Sequence, residues 1–233
     1  MIYAGIVAGG TGSRMGADRP KQFIELKSKP ILIHTVGRFL SVREIDRVYI
    51  AVHRDWLGRT EELIKQFFSE EDSARVRLTE GGADRNASIF KLIEAIKADN
   101  GIKSGDILLT HDAVRPFVTE DVIKKNIETV RTLGVCTTAV PATDTVLCSE
   151  DGETITDTPD RSKLYQAQTP QSFEITDLLE TYSALSDEQK QHLTDVCGIY
   201  SAAGRKIFIV KGEPSNIKLT TPFDLKIAEA ILS

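Results

Sequence analysis

The chain has 233 residues, of which 41% are hydrophobic and 27% charged, and its net charge is −5. This composition is typical of a soluble globular protein with one substantial core, and the negative charge argues against broad nucleic-acid binding. No apolar stretch is long enough to span a bilayer and no charged-then-apolar leader opens the sequence, so we expect a cytoplasmic protein without membrane insertion.

The first predicted element is a short buried strand over residues 2–7, which runs directly into a glycine-rich loop over residues 9–16. The glycine spacing does not match a P-loop, and Met15 stands where a dinucleotide-binding fingerprint needs its third glycine. Arg14 and Lys21 accompany the loop. Because glycines expose backbone N–H groups and both cations suit phosphate oxygens, the segment predicts a nucleotide site.

Strand and helix patterns then alternate. Helices are predicted over residues 30–40, 55–68, 86–98 and 120–133, and strands over residues 47–53, 75–79, 106–110 and 135–140. This alternation predicts an α/β, Rossmann-like fold, with a mainly parallel sheet and helices on both faces, in one domain over residues 1–233. Three loops, at 9–16, 81–88 and 111–116, fall at the carboxyl ends of strands, where such sheets bind ligands.

The segment 143–169 departs from this pattern because its polar and apolar residues alternate around a turn at Asp151-Gly152. It predicts a protruding β-hairpin. An exposed hairpin edge usually pairs with another strand or chain, so we expect a dimerisation arm. A flap on a monomer is the alternative.

Cationic residues recur in the glycine- and proline-marked segments of an otherwise acidic chain: Arg14, Lys21, Arg85, Arg115, Arg161 and Lys218. A local cationic cleft in an acidic shell fits small anionic substrates. Cys136, Cys148 and Cys197 are far apart and are expected to be buried, reduced thiols. The four histidines show no metal-ligand spacing, so no structural metal is indicated.

These motifs together resemble, over nearly the full length, the cytidylyltransferases that join CTP to a polyol phosphate. The matching segments are AGGTGSRMG with PKQ, GGADRNAS, THDAVRPF, TPDRSKLYQAQTPQSF, LTD and NIKLTTPFDL. The family has two close branches. One uses methylerythritol phosphate for isoprenoid synthesis, and the other uses ribitol 5-phosphate for teichoic-acid and capsule synthesis.

Several details favour the ribitol branch. The segments MIYAGIVAGG, THDAVRPF, LYQAQTPQSF and KGEPSNIKLTTPFDLK all resemble those of ribitol enzymes. In the methylerythritol enzymes the aspartate corresponding to Asp195 is typically followed by another acid and an alanine, whereas this chain has Val196 and Cys197. Those enzymes also typically carry Leu-Trp where this chain has Leu164-Tyr165. A methylerythritol-phosphate enzyme remains the alternative within the family.

The resemblance also implies roles for individual residues. Arg14 and Lys21 would be catalytic, acting on the triphosphate in the transition state. The residues implied to bind CTP are Val7, Ala8, Gly9, Gly10, Gly82, Ala83, Asp84, Arg85, Asn86, Ala87, Ser88 and Asp112. Those implied to bind the polyol phosphate are Arg161, Lys218, Asp144 and Thr145, with Arg161 lent across a homodimer by the arm. Mg²⁺ or another divalent cation would bridge phosphate oxygens; its protein ligands are not identified.

The chemistry is compatible with the residues present. A phosphomonoester is largely dianionic at neutral pH, so it can attack the α-phosphorus of CTP without a general base. The lack of a recognisable catalytic histidine set is therefore expected. Two other interpretations stay open: a nucleotide-binding module without catalysis, and a transferase that joins UTP or GTP to a sugar 1-phosphate.

Overall fold

The computed structural model describes residues 1–10, 19–191 and 193–232. Its strands are β1 Ile2–Ala8, β2 Glu25–Leu26, β3 Lys29–Pro30, β4 Arg47–Val52, β5 Val76–Glu80, β6 Ile107–Asp112, β7 Cys136–Pro141, β8 Tyr165–Glu174 and β9 Phe208–Lys211. Its helices are α1 Ile31–Leu40, α2 Leu57–Phe67, α3 Glu70–Ala74, α4 Arg85–Asn100, α5 Glu120–Leu133, α6 Ile175–Ala184, α7 Asp187–Gln191, α8 Val196–Ala202 and α9 Pro222–Ile231.

Seven strands form the central sheet in the order β5-β4-β1-β6-β8-β7-β9. Strand β8 runs antiparallel to both of its neighbours, whereas the other pairings are parallel. The predicted mainly parallel sheet is thus confirmed. A separate two-stranded sheet, β2 with β3, follows the glycine-rich loop.

Helices cover both faces of this sheet because its central strands are apolar on both sides. In β1, Ile2, Ala4 and Ile6 pack with side chains of α1, α2 and α5. Tyr3, between them, faces the other side and packs with side chains of α4, α6 and α8. Two-sided burial explains why β1 is a continuous apolar run in the sequence rather than an alternating one.

The first half of the chain follows the sequence prediction closely, and the bounds of α5 are those predicted. Strand β8 was not predicted, and its first residues, 165–169, fall in the segment assigned to the arm. Gln168, Thr169, Gln171 and Ser172 are buried in this strand although they are polar. Hydrophobic periodicity does not detect a strand of this kind.

Residues 142–164 leave the sheet between β7 and β8, and most of their side chains are exposed. The predicted turn forms there: the Asp151 carboxylate accepts hydrogen bonds from the backbone of Glu153 and Thr154, both at 2.8 Å, and Gly152 has a φ of 77°. The two sides meet in an isolated bridge between Cys148 and Asp157, not in a regular ladder.

The three cysteines are free thiols, as expected, but they are not all buried. Cys136 is buried, Cys197 is partly buried, and Cys148 is exposed on the arm, so the prediction of burial was wrong for Cys148. Among the described residues, the helices lack the length and apolar character needed to cross a bilayer.

Candidate active site

A cavity of about 240 Å³ opens at the carboxyl ends of β1 and β6. Most of the residues that the sequence assigned to CTP line it together: Val7, Ala8, Gly9, Gly10, Gly82, Ala83, Asp84, Arg85, Ser88 and Asp112. Lys21 and Lys218, assigned to the triphosphate and to the polyol phosphate, line the same cavity. The fold thus brings together segments from both ends of the chain.

The backbone after β1 is held in place from within the site. Gln22 is buried, and its Nε2 donates hydrogen bonds to the carbonyl oxygens of Ala8 at 2.6 Å and Gly10 at 3.1 Å. Gln22 belongs to a short 3₁₀-helix, Lys21–Phe23, which follows Pro20. The same short element therefore fixes the backbone at Ala8 and Gly10 and places Lys21 at the cavity.

The N-terminus of α4 also lines the cavity, and glycine is required where the chain enters this helix. A Cβ on Gly82 would lie 2.4 Å from the Cβ of Ala87 and 2.8 Å from the backbone nitrogen of Ser88. The close approach lets Gly82 N–H donate to Ser88 Oγ at 3.0 Å. Asp84 caps the helix by accepting from Ala87 N–H at 2.7 Å. A helix N-terminus of this kind favours anions.

Asp112, at the end of β6, joins three cations. Its Oδ1 lies 3.3 Å from Arg85 Nε, and its Oδ2 lies 3.4 Å from Arg115 Nε and 3.0 Å from Lys218 Nζ. Burial by itself raises the pKa of Asp112, but the charges of Arg85, Lys218 and Arg115 outweigh it and hold that pKa well below its usual range. The Asp112 carboxylate is therefore a fixed negative charge in contact with three positive ones.

A buried network of hydrogen bonds holds the backbone of Asp112 in place. The preceding residue, His111, is fully buried and directs Nε2 to the carbonyl oxygen of Arg115 at 3.0 Å and Nδ1 to Thr169 Oγ1 at 2.9 Å. Because a carbonyl oxygen can only accept, Nε2 carries the proton and the Thr169 hydroxyl donates to Nδ1. Asp112 N–H in turn donates to Thr169 Oγ1 at 3.2 Å. Burial lowers the pKa of His111 to about 4.

The segment that bears Lys218 is tied to this network. Leu219 N–H donates to the carbonyl oxygen of Val114 at 2.9 Å, and buried Asn216 donates from Nδ2 to the carbonyl oxygen of Thr169 at 2.8 Å. The Asn216 carbonyl oxygen also accepts from Arg115 Nη1 at 2.8 Å. These bonds position Lys218 in the wall of the cavity.

Other assigned residues lie elsewhere. Asn86 and Ala87 are in the first turn of α4 beside the cavity but outside its lining, and Asn86 Nδ2 donates to the carbonyl oxygen of Leu193 at 3.2 Å. Arg14 lies outside the described residues.

The three assigned residues of the arm, Asp144, Thr145 and Arg161, are exposed and do not line the cavity of their own chain. Arg161 Nη1 donates to the carbonyl oxygen of Thr143 at 3.0 Å.

A dedicated metal cage is not evident in the part of the chain that the structure describes, where His, Cys, Asp and Glu side chains do not gather in groups of three or more. The cavity does present the carboxylates of Asp84 and Asp112. This sparse oxygen donor set fits Mg²⁺, which usually keeps several waters and is held by one or two carboxylates together with substrate phosphates.

The sequence assigned no roles to Gln22, Thr169 or Asn216, and Arg115 was named only as one of the cations of the predicted cleft. Each lies in a segment that carried the family resemblance, which was the available signal. Their contacts join parts of the chain that are distant in sequence, so their roles required the fold.

Comparison with known proteins identifies the family. Residues 2–233 match the family model described as IspD, 2-C-methyl-D-erythritol 4-phosphate cytidylyltransferase. The chain belongs to this family. As a member of the IspD family it is a cytidylyltransferase, a nucleotidyl-transferring enzyme.

Solved structures agree. The 4-diphosphocytidyl-2C-methyl-D-erythritol synthase of Anaerococcus prevotii DSM 20548 is 31% identical, with a TM-score of 0.79 over 99% of this chain and 95% of that one. Another structure of a synthase with that name is 27% identical, with a TM-score of 0.81 over 100% of this chain and 99% of that one. The Francisella tularensis 2-C-methyl-D-erythritol 4-phosphate cytidylyltransferase is 26% identical, with a TM-score of 0.78 over 98% of both chains.

Proposed function

We propose that the protein transfers the cytidylyl group of CTP to D-ribitol 5-phosphate, releasing CDP-ribitol and pyrophosphate for teichoic-acid or capsule synthesis. The observation that supports the transfer itself is the shared cavity, which is lined by Gly9 and Gly10, the N-terminus of α4, Lys21 and Lys218. Two anionic reactants can meet only where positive charge offsets their repulsion, and this cavity provides it.

The acceptor is proposed from the sequence near α8. Thr194-Asp195 is followed by Val196 and Cys197, which departs from the pattern typical of methylerythritol enzymes. The family description and the solved relatives bear the methylerythritol name, and they support that substrate as the second candidate.

In the proposed reaction, an oxygen of the dianionic acceptor phosphate attacks the α-phosphorus of CTP, and the bond to the bridging β-phosphate oxygen breaks. No proton has to be removed from the nucleophile at neutral pH. The protein's task is to align the two phosphates and to neutralise charge that develops on the α-phosphate and the leaving pyrophosphate. Lys21 and Arg14 serve the triphosphate, and Lys218 serves the acceptor phosphate.

The backbone of residues 7–10 and 82–88 holds the cytosine and the ribose, and Asp112 contacts the ribose or the metal. A divalent cation, when bound, neutralises phosphate charge; the carboxylate of Asp112 is suited to hold it because its lowered pKa keeps it ionised. Asp112 also keeps Lys218 directed into the cavity through their 3.0 Å contact.

The arm, residues 143–169, is proposed to complete the site in a homodimer of single-domain chains. Four of its large apolar side chains, Val146, Leu147, Ile155 and Tyr165, are between 41% and 63% exposed, as expected for a surface that a second copy covers. Arg161 then reaches the acceptor phosphate of the neighbouring site, and Asp144 and Thr145 bind polyol hydroxyls.

The deciding experiment is incubation with CTP, Mg²⁺ and either D-ribitol 5-phosphate or 2-C-methyl-D-erythritol 4-phosphate, with pyrophosphate release as the readout. We expect kcat/KM to be at least ~10-fold higher with the ribitol substrate, a difference of about 1.4 kcal/mol in transition-state binding. A preference for the methylerythritol substrate would establish the second candidate.

CTP binding without pyrophosphate release from either acceptor would support a non-catalytic module and contradict the proposal. Replacing CTP with UTP or GTP in the presence of a sugar 1-phosphate tests the remaining alternative.

A further inference from the structure

A series of hydrogen bonds and ion pairs connects Asp195, at the start of α8, to the residues that line the cavity. Asp195 Oδ2 accepts from Gln171 Nε2 at 2.7 Å, and Gln171 Oε1 accepts from Arg85 Nη1 at 2.8 Å. Arg85 Nε then lies 3.3 Å from Asp112 Oδ1, and Asp112 holds Lys218. Arg85, Asp112 and Lys218 line the cavity, whereas Gln171 does not.

The orientation of the Gln171 amide follows from its partners. A guanidinium only donates hydrogen bonds and a carboxylate only accepts them, so the carbonyl oxygen must face Arg85 and the NH₂ group must face Asp195. The residue is 2% exposed, on the part of β8 that pairs with β6 and β7. Water therefore cannot readily replace either partner.

The Asp195 carboxylate is held in place by the first turn of α8. Its Oδ1 accepts from Gly198 N–H at 2.8 Å and caps α8. Gln171 thus connects the capping residue Asp195 to the Arg85 guanidinium by hydrogen bonds. Because the Gln171 side chain lies between them, the Asp195 carboxylate is not hydrogen-bonded directly to Arg85. The charge of Arg85 is left to Asp112 and to ligands in the cavity.

We propose that Gln171 is a positioning residue for CTP: it holds Arg85 at the cavity wall by bridging it to the α8 cap at Asp195. Gln171 acts through Arg85 and does not touch substrate. This inference rests on the proposed binding of CTP beside Arg85.

The test exchanges the two polar groups. In Gln171→Glu, a new carboxylate faces that of Asp195, and the repulsion disturbs Arg85. In the double variant Gln171→Glu/Asp195→Asn, the asparagine amide donates where the glutamine amide did, and the new carboxylate at position 171 still accepts from Arg85. Asparagine also remains a good helix cap. Gln171→Met, close in size and uncharged, removes the hydrogen bonds to Arg85 and Asp195 and a third one, which Gln171 Nε2 donates to Cys197 Sγ at 3.1 Å.

CTP affinity is measured by direct titration, and kcat and both KM values are measured by pyrophosphate release. We expect Gln171→Met and Gln171→Glu to weaken CTP binding at least about tenfold, the scale of losing a hydrogen bond to a charged group. The KM for the acceptor should stay within about twofold, and the double variant should recover most of the lost affinity. Gln171→Met keeps the test decisive if Gln171→Glu fails to fold.

Ser172→Ala is the matched control for structural damage. Ser172 is the next residue of β8, is fully buried, and donates to Asn126 Oδ1 at 2.9 Å without contacting Arg85. Unchanged CTP affinity in Gln171→Met, a double variant no better than Gln171→Glu, or an equal loss in Ser172→Ala would each overturn the inference. If the wild-type protein itself failed to bind CTP, the proposed function would fail instead.

Discussion

Protonation of His111 should contribute to the destabilisation of this protein by acid. The ring is fully buried, and its pKa falls from an ordinary 6.5 to about 4. Since a difference of one in pKa corresponds to about 1.36 kcal/mol, the neutral ring contributes about 3 kcal/mol to folding at neutral pH. Above pH 6.5 this contribution is complete. Between pH 6.5 and 4 the unfolded chain binds a proton that the folded chain does not, so stability falls.

The assay is urea unfolding at a series of pH values, followed by the fluorescence of the single tryptophan, Trp56, which stacks on Phe23 at 4.3 Å. From about pH 7 to about 4.5 the wild-type protein should lose about 2 kcal/mol more stability than His111→Gln, whose side chain does not titrate. Asp112 does not interfere, because its lowered pKa matters only below its ordinary value of 3.8. Parallel pH profiles for the two proteins would refute the reasoning.

Three substitutions, with Gly10→Ala as a control for the first, test the site itself. Gly82→Ala should lower the free energy of unfolding by about 1–3 kcal/mol, because the added Cβ overlaps the first turn of α4. In the same denaturation series, Gly10→Ala should change this free energy by less than ~0.5 kcal/mol, because its Cβ meets nothing within 4 Å. Similar losses in the two variants would contradict the steric argument. Lys21→Ala should reduce kcat at least ~100-fold in a folded protein, and near-normal turnover would exclude Lys21 from transition-state stabilisation. Arg161→Ala should raise the KM for the acceptor ~10-fold or more with little change in that for CTP; equal effects on both would argue against an arm that serves the acceptor.

The sheet edge and the glycine contacts could be predicted from the sequence because they depend on local patterns. An apolar run followed by glycines predicts a buried strand and a ligand loop, and parallel strands end at a common edge. Gly9, Gly82 and Asp112 could therefore be predicted to lie together, although they are far apart in the chain. The positions of their side chains were not needed for this prediction.

Other features could not be predicted because their cause is tertiary. Strand β8 buries polar side chains such as Thr169 and Gln171, whose hydrogen bonds are satisfied by residues from other parts of the fold. A hydrophobic pattern therefore does not reveal this strand. The pairing of Asp112 with Arg85 and Lys218 depends on where three loops meet. The exposure of Cys148 is different, because the sequence already placed this residue in the protruding arm, 143–169, and the expectation of burial overlooked that position.

The contact between Asp112 and Lys218 has a consequence for turnover. An empty cationic cleft without its own anion would retain pyrophosphate or the nucleotide product strongly, because nothing else would neutralise it. In the proposed reaction, the carboxylate that lies 3.0 Å from the ammonium would compete with the departing anion for Lys218. We expect this competition to ease product release at the expense of some ground-state affinity, which favours repeated cycles over tight binding.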